Sequence, residues 1–164
     1  MPISEQETSA ERPLTIDTLT VLRHVTWELP QTLLGVLVCS FVKLFDREAK
    51  TFRAPSATLV TRTTLLGGGV SLGMFLFSFD YERRFGRKLV AAQQRMEAHE
   101  LGHARQSCLL GPLYLFIVGV PSISRAALFR IARAAGRRIP ADRYYRGYPE
   151  AWADRLGGVQ RPQR

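Results

Sequence analysis

Residues 84–106 read RFGRKLVAAQQRMEAHELGHARQ and carry the pattern HExxH at His99, Glu100 and His103. Apart from two glycines, the stretch is built of residues that favour helices, and it has no proline. Because residues four apart share one face of a helix, His99 and His103 point in the same direction. Two imidazoles placed in this way can bind one Zn²⁺, and Glu100 beside them can act as a base toward a water molecule. The stretch therefore predicts a helix that carries a metal site.

The HExxH pattern is short, and a chance occurrence is the alternative to a metal site. At average residue usage the pattern arises by chance in about one in a few hundred chains of this length, as a surface helix with two solvated histidines and a solvated glutamate. Gly102, inside the pattern, weakens a helix by about 1 kcal/mol. Either another backbone or the metal site approaches closely there, or the helix simply tolerates the glycine.

A third protein ligand is expected, because catalytic zinc sites usually have three. The metzincin pattern HExxHxxGxxH is excluded, since Gln106 and Leu109 occupy its last two defined positions. His24, the remaining histidine, lies in the apolar run VLRHV, which favours packing over metal binding. We expect the third ligand among the acids that follow the motif, which are Asp142, Glu150 and Asp154.

The segment EAWAD, from Glu150 to Asp154, has the spacing ExxAD. Together with HExxH it resembles the gluzincin type of zincin metallopeptidase, in which a glutamate on a second helix is the third ligand. An acid four residues later in that family holds the first motif histidine by a hydrogen bond. The resemblance implies Glu150 as a ligand beside His99 and His103, with Asp154 as the partner of His99. Residues four apart share a helix face, and metal-bound histidines usually donate their other N–H to a carboxylate. The alternative is that both acids merely solubilise an exposed helix.

A wider resemblance covers roughly residues 27–159. The blocks WELPQTLLG, GGVSLGMFLF, HELGHARQS, GPLYLFIVGVPS and YPEAWADRLGGV are similar in content and order to a bacterial family of small metallopeptidase-like proteins. That resemblance implies a zinc-dependent hydrolase that cleaves a peptide or protein substrate, with Zn²⁺ as cofactor and Glu100 as catalytic base. It does not define the substrate.

Length and composition favour one domain, since 164 residues with 46% hydrophobic content can form a core. Residues 1–14 are polar, contain three glutamates and are predicted to be a disordered tail. Residues 15–160 are predicted to form a single α+β domain of zincin-like type. Cys39 and Cys108 lie in apolar runs, which favours buried thiols over a disulfide. The polar start lacks a signal-peptide pattern and predicts a cytoplasmic location, with membrane association as the alternative.

The elements expected around the motif helix are two helices and two strands. The helices are predicted over residues 15–27, with Asp17 as a cap, and over residues 31–45, after Pro30. The strands, residues 52–63 and 70–79, flank a glycine turn and are expected to pair as an antiparallel hairpin. The second strand precedes the motif helix, as does the zincin edge strand along which an extended substrate lies. An ordinary core strand accounts for its apolar run equally well.

An uncharged segment follows the motif, from residue 106 to residue 124. Its length makes it a marginal membrane-spanning candidate, but two prolines and two glycines interrupt it. We therefore predict a buried helix or loop beneath the site. The charges on the motif helix argue against a site inside a bilayer.

Basic residues are concentrated near the carboxyl end. The chain has 23 basic and 14 acidic residues, a net charge of +9, and residues 125–146 hold seven arginines and one acid. Residues 125–138 predict a basic amphipathic helix, whose commonest role is a solvated face over a core. Contact with anionic lipid is the second hypothesis, at about 1 kcal/mol per basic residue. Nucleic-acid binding is the least favoured, because no recognised motif accompanies the charge.

Two rivals to the peptidase hypothesis come from these features. One is a non-catalytic zinc-binding interaction domain, although such a site has no need of the base Glu100. The other is a peripheral membrane protein that acts through residues 125–138, with the histidines incidental.

Overall fold

The chain, as a computed structural model, is described over residues 18–54 and 58–161. The predicted α+β class is confirmed: helices surround one four-stranded sheet. The helices are α1 (Thr18–Val25), α2 (Leu29–Phe45), α3 (Tyr81–Phe85), α4 (Val90–Leu110), α5 (Val120–Ala134), α6 (Ala141–Tyr145) and α7 (Glu150–Gly157). The strands are β1 (Lys50–Arg53), β2 (Leu59–Thr63), β3 (Val70–Leu72) and β4 (Phe75–Phe79). The predicted tail and the cap at Asp17 lie outside the described residues.

The sheet differs from the predicted hairpin. Its strand order is β1-β2-β4-β3, and β2 pairs with β4 in parallel rather than antiparallel. The segment 70–79 is two strands, because the chain reverses at Gly73 and Met74 and pairs Leu72 with Phe75. Gly73 has a φ of +57°, a conformation that glycine adopts most readily. The reversal leaves β3 at the edge of the sheet and β4 inside it.

Helices cover both faces of the sheet. Val42 of α2 packs with Phe75 and Phe77 on one face. Leu76, which points the other way because side chains alternate along a strand, joins a second cluster that contacts Leu101 of α4. The motif helix α4 therefore packs on the face of the sheet opposite to α2.

The motif helix begins and ends later in the structure than the predicted range, residues 84–106. Gly86, with a φ of +75°, ends α3, so α4 begins only at Val90, after a short 3₁₀ turn, and continues to Leu110. The two amino-terminal helices are confirmed as α1 and α2, and Pro30 lies in the first turn of α2. Cys39 and Cys108 are free thiols and half-buried.

Helix α4 also packs against α7 at very short range. A Cβ atom added at Gly102 would lie 1.9 Å from the carbonyl oxygen of Ala153, and one at Gly157 would lie 2.1 Å from that of Ala98. Only glycine fits at such distances, so each helix presents a glycine to the backbone of the other. Of the two possibilities at Gly102, the close approach of another backbone is confirmed.

The segment after the motif, predicted to be buried, is buried only in part: Gly111, Tyr114 and Val118 are buried, whereas Leu113, Phe116 and Ile123 are exposed. A π-helical turn, Leu115–Gly119, runs into α5, and together they form one helix, Leu115–Ala134, of 20 residues. No residue of α5 is buried, because nothing among the described residues covers its outer side. The predicted helix 125–138 ends at Ala134, before Gly136 with its φ of +80°.

Among the described residues, Leu115–Ala134 is the one helix that is long and apolar enough to cross a bilayer. Helices α1 and α2 meet the same criterion only as a pair, and they are bent by 89°. Both findings concern length and composition alone.

Replacing Gly102 with alanine tests the packing of α4 against α7. The added methyl group would collide with the Ala153 carbonyl, so Gly102→Ala should lower the free energy of unfolding by about 1–3 kcal/mol. The control is Gly119→Ala, where a Cβ meets no atom closer than 3.7 Å and helix propensity favours alanine. Urea unfolding measures both variants. A Gly102→Ala protein as stable as the wild type would contradict the close packing.

Candidate metal centre

Three predicted ligands converge where α4 meets α7. His99 and His103 lie on one face of α4 with ring centroids 4.8 Å apart, and Glu150 is the first residue of α7. All three side chains are buried, and one ligand atom from each lies within 4.8 Å of the others. The structure thus brings together residues that lie about 50 positions apart in the sequence.

Both imidazoles face the same carboxylate oxygen. His99 Nε2 lies 2.9 Å from Glu150 Oε2, and His103 Nε2 lies 3.4 Å from it. The second oxygen, Oε1, accepts a hydrogen bond of 2.6 Å from the Ser122 hydroxyl on α5. A residue of α5 therefore orients the Glu150 carboxylate, and its other oxygen, Oε2, faces the two histidines.

The outer nitrogen of each histidine, Nδ1, which points away from Glu150, lies within hydrogen-bond distance of a side-chain oxygen. His99 Nδ1 lies 2.7 Å from Asp154 Oδ1, which the guanidinium of Arg161 holds in turn at 2.8 Å. His103 Nδ1 lies 2.7 Å from the side-chain oxygen of Gln106. Nδ1–H groups that donate to these oxygens leave both Nε2 atoms available to a metal ion.

The charges at the centre form a buried ion pair. Burial opposes a charge on His99, but hydrogen bonds to Asp154 and Glu150 outweigh it and raise the pKa of His99 to about 9. Burial also opposes the charge of Glu150, and hydrogen bonds from His103 and His99 hold the pKa of that carboxyl far below its usual range. A metal cation can replace the His99 proton here, so metal binding releases a proton and strengthens as the pH rises.

Glu100 occupies a separate position beside the three ligands. Its side chain is buried, and its Oε2 has no hydrogen-bond partner in the described part of the chain. Burial raises the pKa of its carboxyl. The carboxyl group lies against Gly69, where an added Cβ would approach Oε1 to 2.3 Å. Burying a carboxylate oxygen without a hydrogen-bond partner lowers the stability of the fold. Its presence therefore indicates that Glu100 binds a ligand or takes part in a reaction.

The centre lies in a cavity of about 760 Å³. The carboxyl group of Glu100 and the three ligands line it together with the edge strand β3 and with apolar side chains of α4 and α5. The rings of Tyr145 and His99 pack edge to face with centroids 5.3 Å apart, and the Arg161 guanidinium lies over the Tyr145 ring, 3.2 Å from its centroid. The cavity is large enough for several side chains of a peptide.

Other candidates are placed elsewhere. His24 is buried, with its Nδ1 2.7 Å from Glu28 Oε2, and lies outside the cluster. The side chain of Asp142 lies outside the described part of the structure.

Three contacts of the centre were not found from the sequence: Gln106, Ser122 and Arg161. Gln106 follows His103 by three residues, a spacing that places both on one helix face, so this contact had a detectable signal. Ser122 and Arg161 reach the site only through tertiary folding, and no local pattern marks them.

No protein-family model, curated protein or solved structure matches the chain. Function is therefore inferred from the geometry of the centre and from the chemistry of its residues.

The donor set fits a divalent transition metal. Two imidazole nitrogens and one carboxylate are the ligands of many catalytic zinc sites, which leave a fourth position open. Since both Nδ1 atoms are already engaged, the two Nε2 atoms and the Glu150 carboxylate are the groups that would hold the ion.

Replacing the Asp154 carboxylate tests whether its contact with His99 Nδ1 supports metal binding. Asp154→Asn keeps the shape of the side chain but loses its charge, and we expect zinc affinity to fall by about 10- to 100-fold. Glu48→Gln is the control, because it makes the same chemical change at an exposed carboxylate beside Arg83. Competition with a chromophoric chelator measures both. Unchanged affinity in a folded Asp154→Asn protein would show that Asp154 does not support the site.

Proposed function

We propose that this chain is a zinc-dependent peptidase in which His99, His103 and Glu150 hold the ion and Glu100 is the general base. The observation that carries the proposal is the convergence of the three ligand groups within 4.8 Å in a cavity that Glu100 also lines. A structural zinc site is closed by four protein ligands, whereas three ligands leave room for water and substrate.

Zinc, when bound, supplies a Lewis acid that activates water and polarises a carbonyl group. The choice of zinc rests on the borderline-soft imidazole donors combined with a carboxylate. Glu150 is held in place by Ser122 and His99 by Asp154, so the donors need little reorganisation to receive the ion.

Glu100 would move the protons of the reaction. Its unpartnered carboxylate oxygen is available to accept a proton from the attacking water and to return it to the leaving amine. Burial raises the pKa of the Glu100 carboxyl, which makes its protonated form easier to reach. Gly69 lies so close to the carboxyl group that a side chain there would displace it.

The shape of the cavity suggests how a substrate would lie. Strand β3 is at the edge of the sheet and borders the cavity, so an extended peptide could run beside it. The hydroxyl of Tyr114 already donates to the Ser71 carbonyl at this strand, which leaves only a short stretch of main chain for strand addition. Apolar side chains such as Leu72, Val120 and Phe129 line the cavity. We therefore expect a preference for apolar residues next to the scissile bond.

Replacing Glu100 with glutamine separates metal binding from catalysis. Glu100→Gln should retain about one zinc per chain and lose roughly 10²- to 10⁴-fold in hydrolysis, because the amide cannot accept the proton. Mass spectrometry of a mixed peptide library gives the cleavage rates, with Glu48→Gln as the control that should cleave like the wild type.

Two outcomes would change the proposal. Hydrolysis that survives in Glu100→Gln would remove Glu100 from the mechanism. Wild-type protein that holds zinc and cleaves none of the library would favour the non-catalytic zinc domain.

A further inference from the structure

Two helices expose large hydrophobic side chains to solvent. On α2 and on the helix Leu115–Ala134, here called the 115–134 helix, ten such side chains are each between 52% and 73% exposed. They are Leu33, Leu37, Phe41, Leu44, Phe45, Phe116, Val120, Ile123, Leu128 and Ile131. We call these residues the apolar surface. Proteins that stay monomeric in water rarely expose so many large apolar side chains together.

Both helices contribute residues to the lining of the cavity. Leu34 of α2 and Leu115 at the start of the 115–134 helix line the same cavity, as do Val120 and Ile123. The corner before α2 is bound to α4, because Trp27 donates its indole N–H to the carbonyl oxygen of Cys108 near the end of α4. Val120 and Ile123 belong both to the apolar surface and to the lining of the cavity, so a partner that covers these two residues lies beside the cavity.

The inner side of the 115–134 helix is held by polar contacts to the protein. Ser122 donates to Glu150, Arg125 donates to the carbonyl oxygen of Tyr144, and Arg130 donates to that of Gly67. A helix that crosses a bilayer as a separate span would lose these contacts. The arrangement instead fits a helix that lies in the plane of the interface with its outer side buried in lipid.

Charge distinguishes a bilayer from a second copy of the chain. Arg137 and Arg138 are exposed and follow directly after the 115–134 helix. A second copy would bring the same arginines and another net charge of +9 to the contact. Anionic lipid headgroups would complement them, and basic residues near such a surface attract it.

We propose that the apolar surface docks on an anionic lipid bilayer, with the 115–134 helix lying at the interface. This inference goes beyond the proposed peptidase activity, because it does not depend on zinc or on Glu100.

Vesicle flotation with the full chain tests the docking. The probes are phosphatidylcholine vesicles with and without phosphatidylglycerol, and the wild type should float with the anionic vesicles and less so as salt rises. The triple variant Phe116→Gln, Leu128→Gln, Ile131→Gln leaves the net charge unchanged and should bind about tenfold more weakly or worse. The control variant changes Leu65, Phe85 and Leu89 to glutamine, since these exposed side chains lie outside the apolar surface.

A second variant tests the charge alone. Arg137→Gln combined with Arg138→Gln alters two exposed side chains beyond the helix and should weaken binding to anionic vesicles several-fold. Zinc content, measured on the same preparations, shows separately whether the metal centre is intact.

The outcomes separate this proposal from the peptidase proposal. Flotation that is lost in the triple variant while its zinc content is kept would support docking. Flotation without any bound zinc would leave docking in place and reject the peptidase. Two results would overturn the docking proposal. One is a wild-type protein that does not float with anionic vesicles, and the other is a wild-type dimer in solution that the triple variant does not form.

Discussion

The close contact between α4 and α7 is the constraint on which the rest of the structure depends. Gly102 and Gly157 let the two backbones approach until a methyl group would collide with the opposite carbonyl. At that separation, Glu150 and Asp154 on one face of α7 reach the inner and the outer nitrogen of His99. The sheet supports α4 from the other side through Leu101. The spacing of the two helices therefore decides whether a metal ion has three ligands or two.

The centre is also linked to the surface of the molecule. Ser122, which orients the Glu150 carboxylate, belongs to the same helix as the exposed side chains of the apolar surface. A buried carboxylate and a solvent-facing apolar stripe thus lie on opposite sides of one helix. Arg125 and Arg130 bind that helix to the backbone carbonyl oxygens of Tyr144 and Gly67, so a partner that covers its outer side contacts the same element that carries Ser122. The candidate metal centre and the apolar surface therefore share one helix.

Sequence patterns located the centre better than they located the sheet. The spacing of His99 and His103 and the resemblance at Glu150 and Asp154 named residues that the structure brings together, since each pair is set by local helix geometry. Strand pairing is a long-range property, and the single glycine at position 73 was enough to turn an apparent strand into a hairpin. Burial of the segment after the motif was predicted correctly only for residues such as Tyr114 and Val118, because hydrophobicity shows that a side chain avoids water but not what covers it.

The most direct test of the account is the metal content of the purified chain, with Glu150→Ala measured beside the wild type by elemental mass spectrometry. The account predicts about one zinc per wild-type chain and clearly less in the variant, because the carboxylate that faces both Nε2 atoms is gone. A folded wild type that holds no zinc after metal is supplied, or a variant that holds as much as the wild type, would contradict the assignment of the centre.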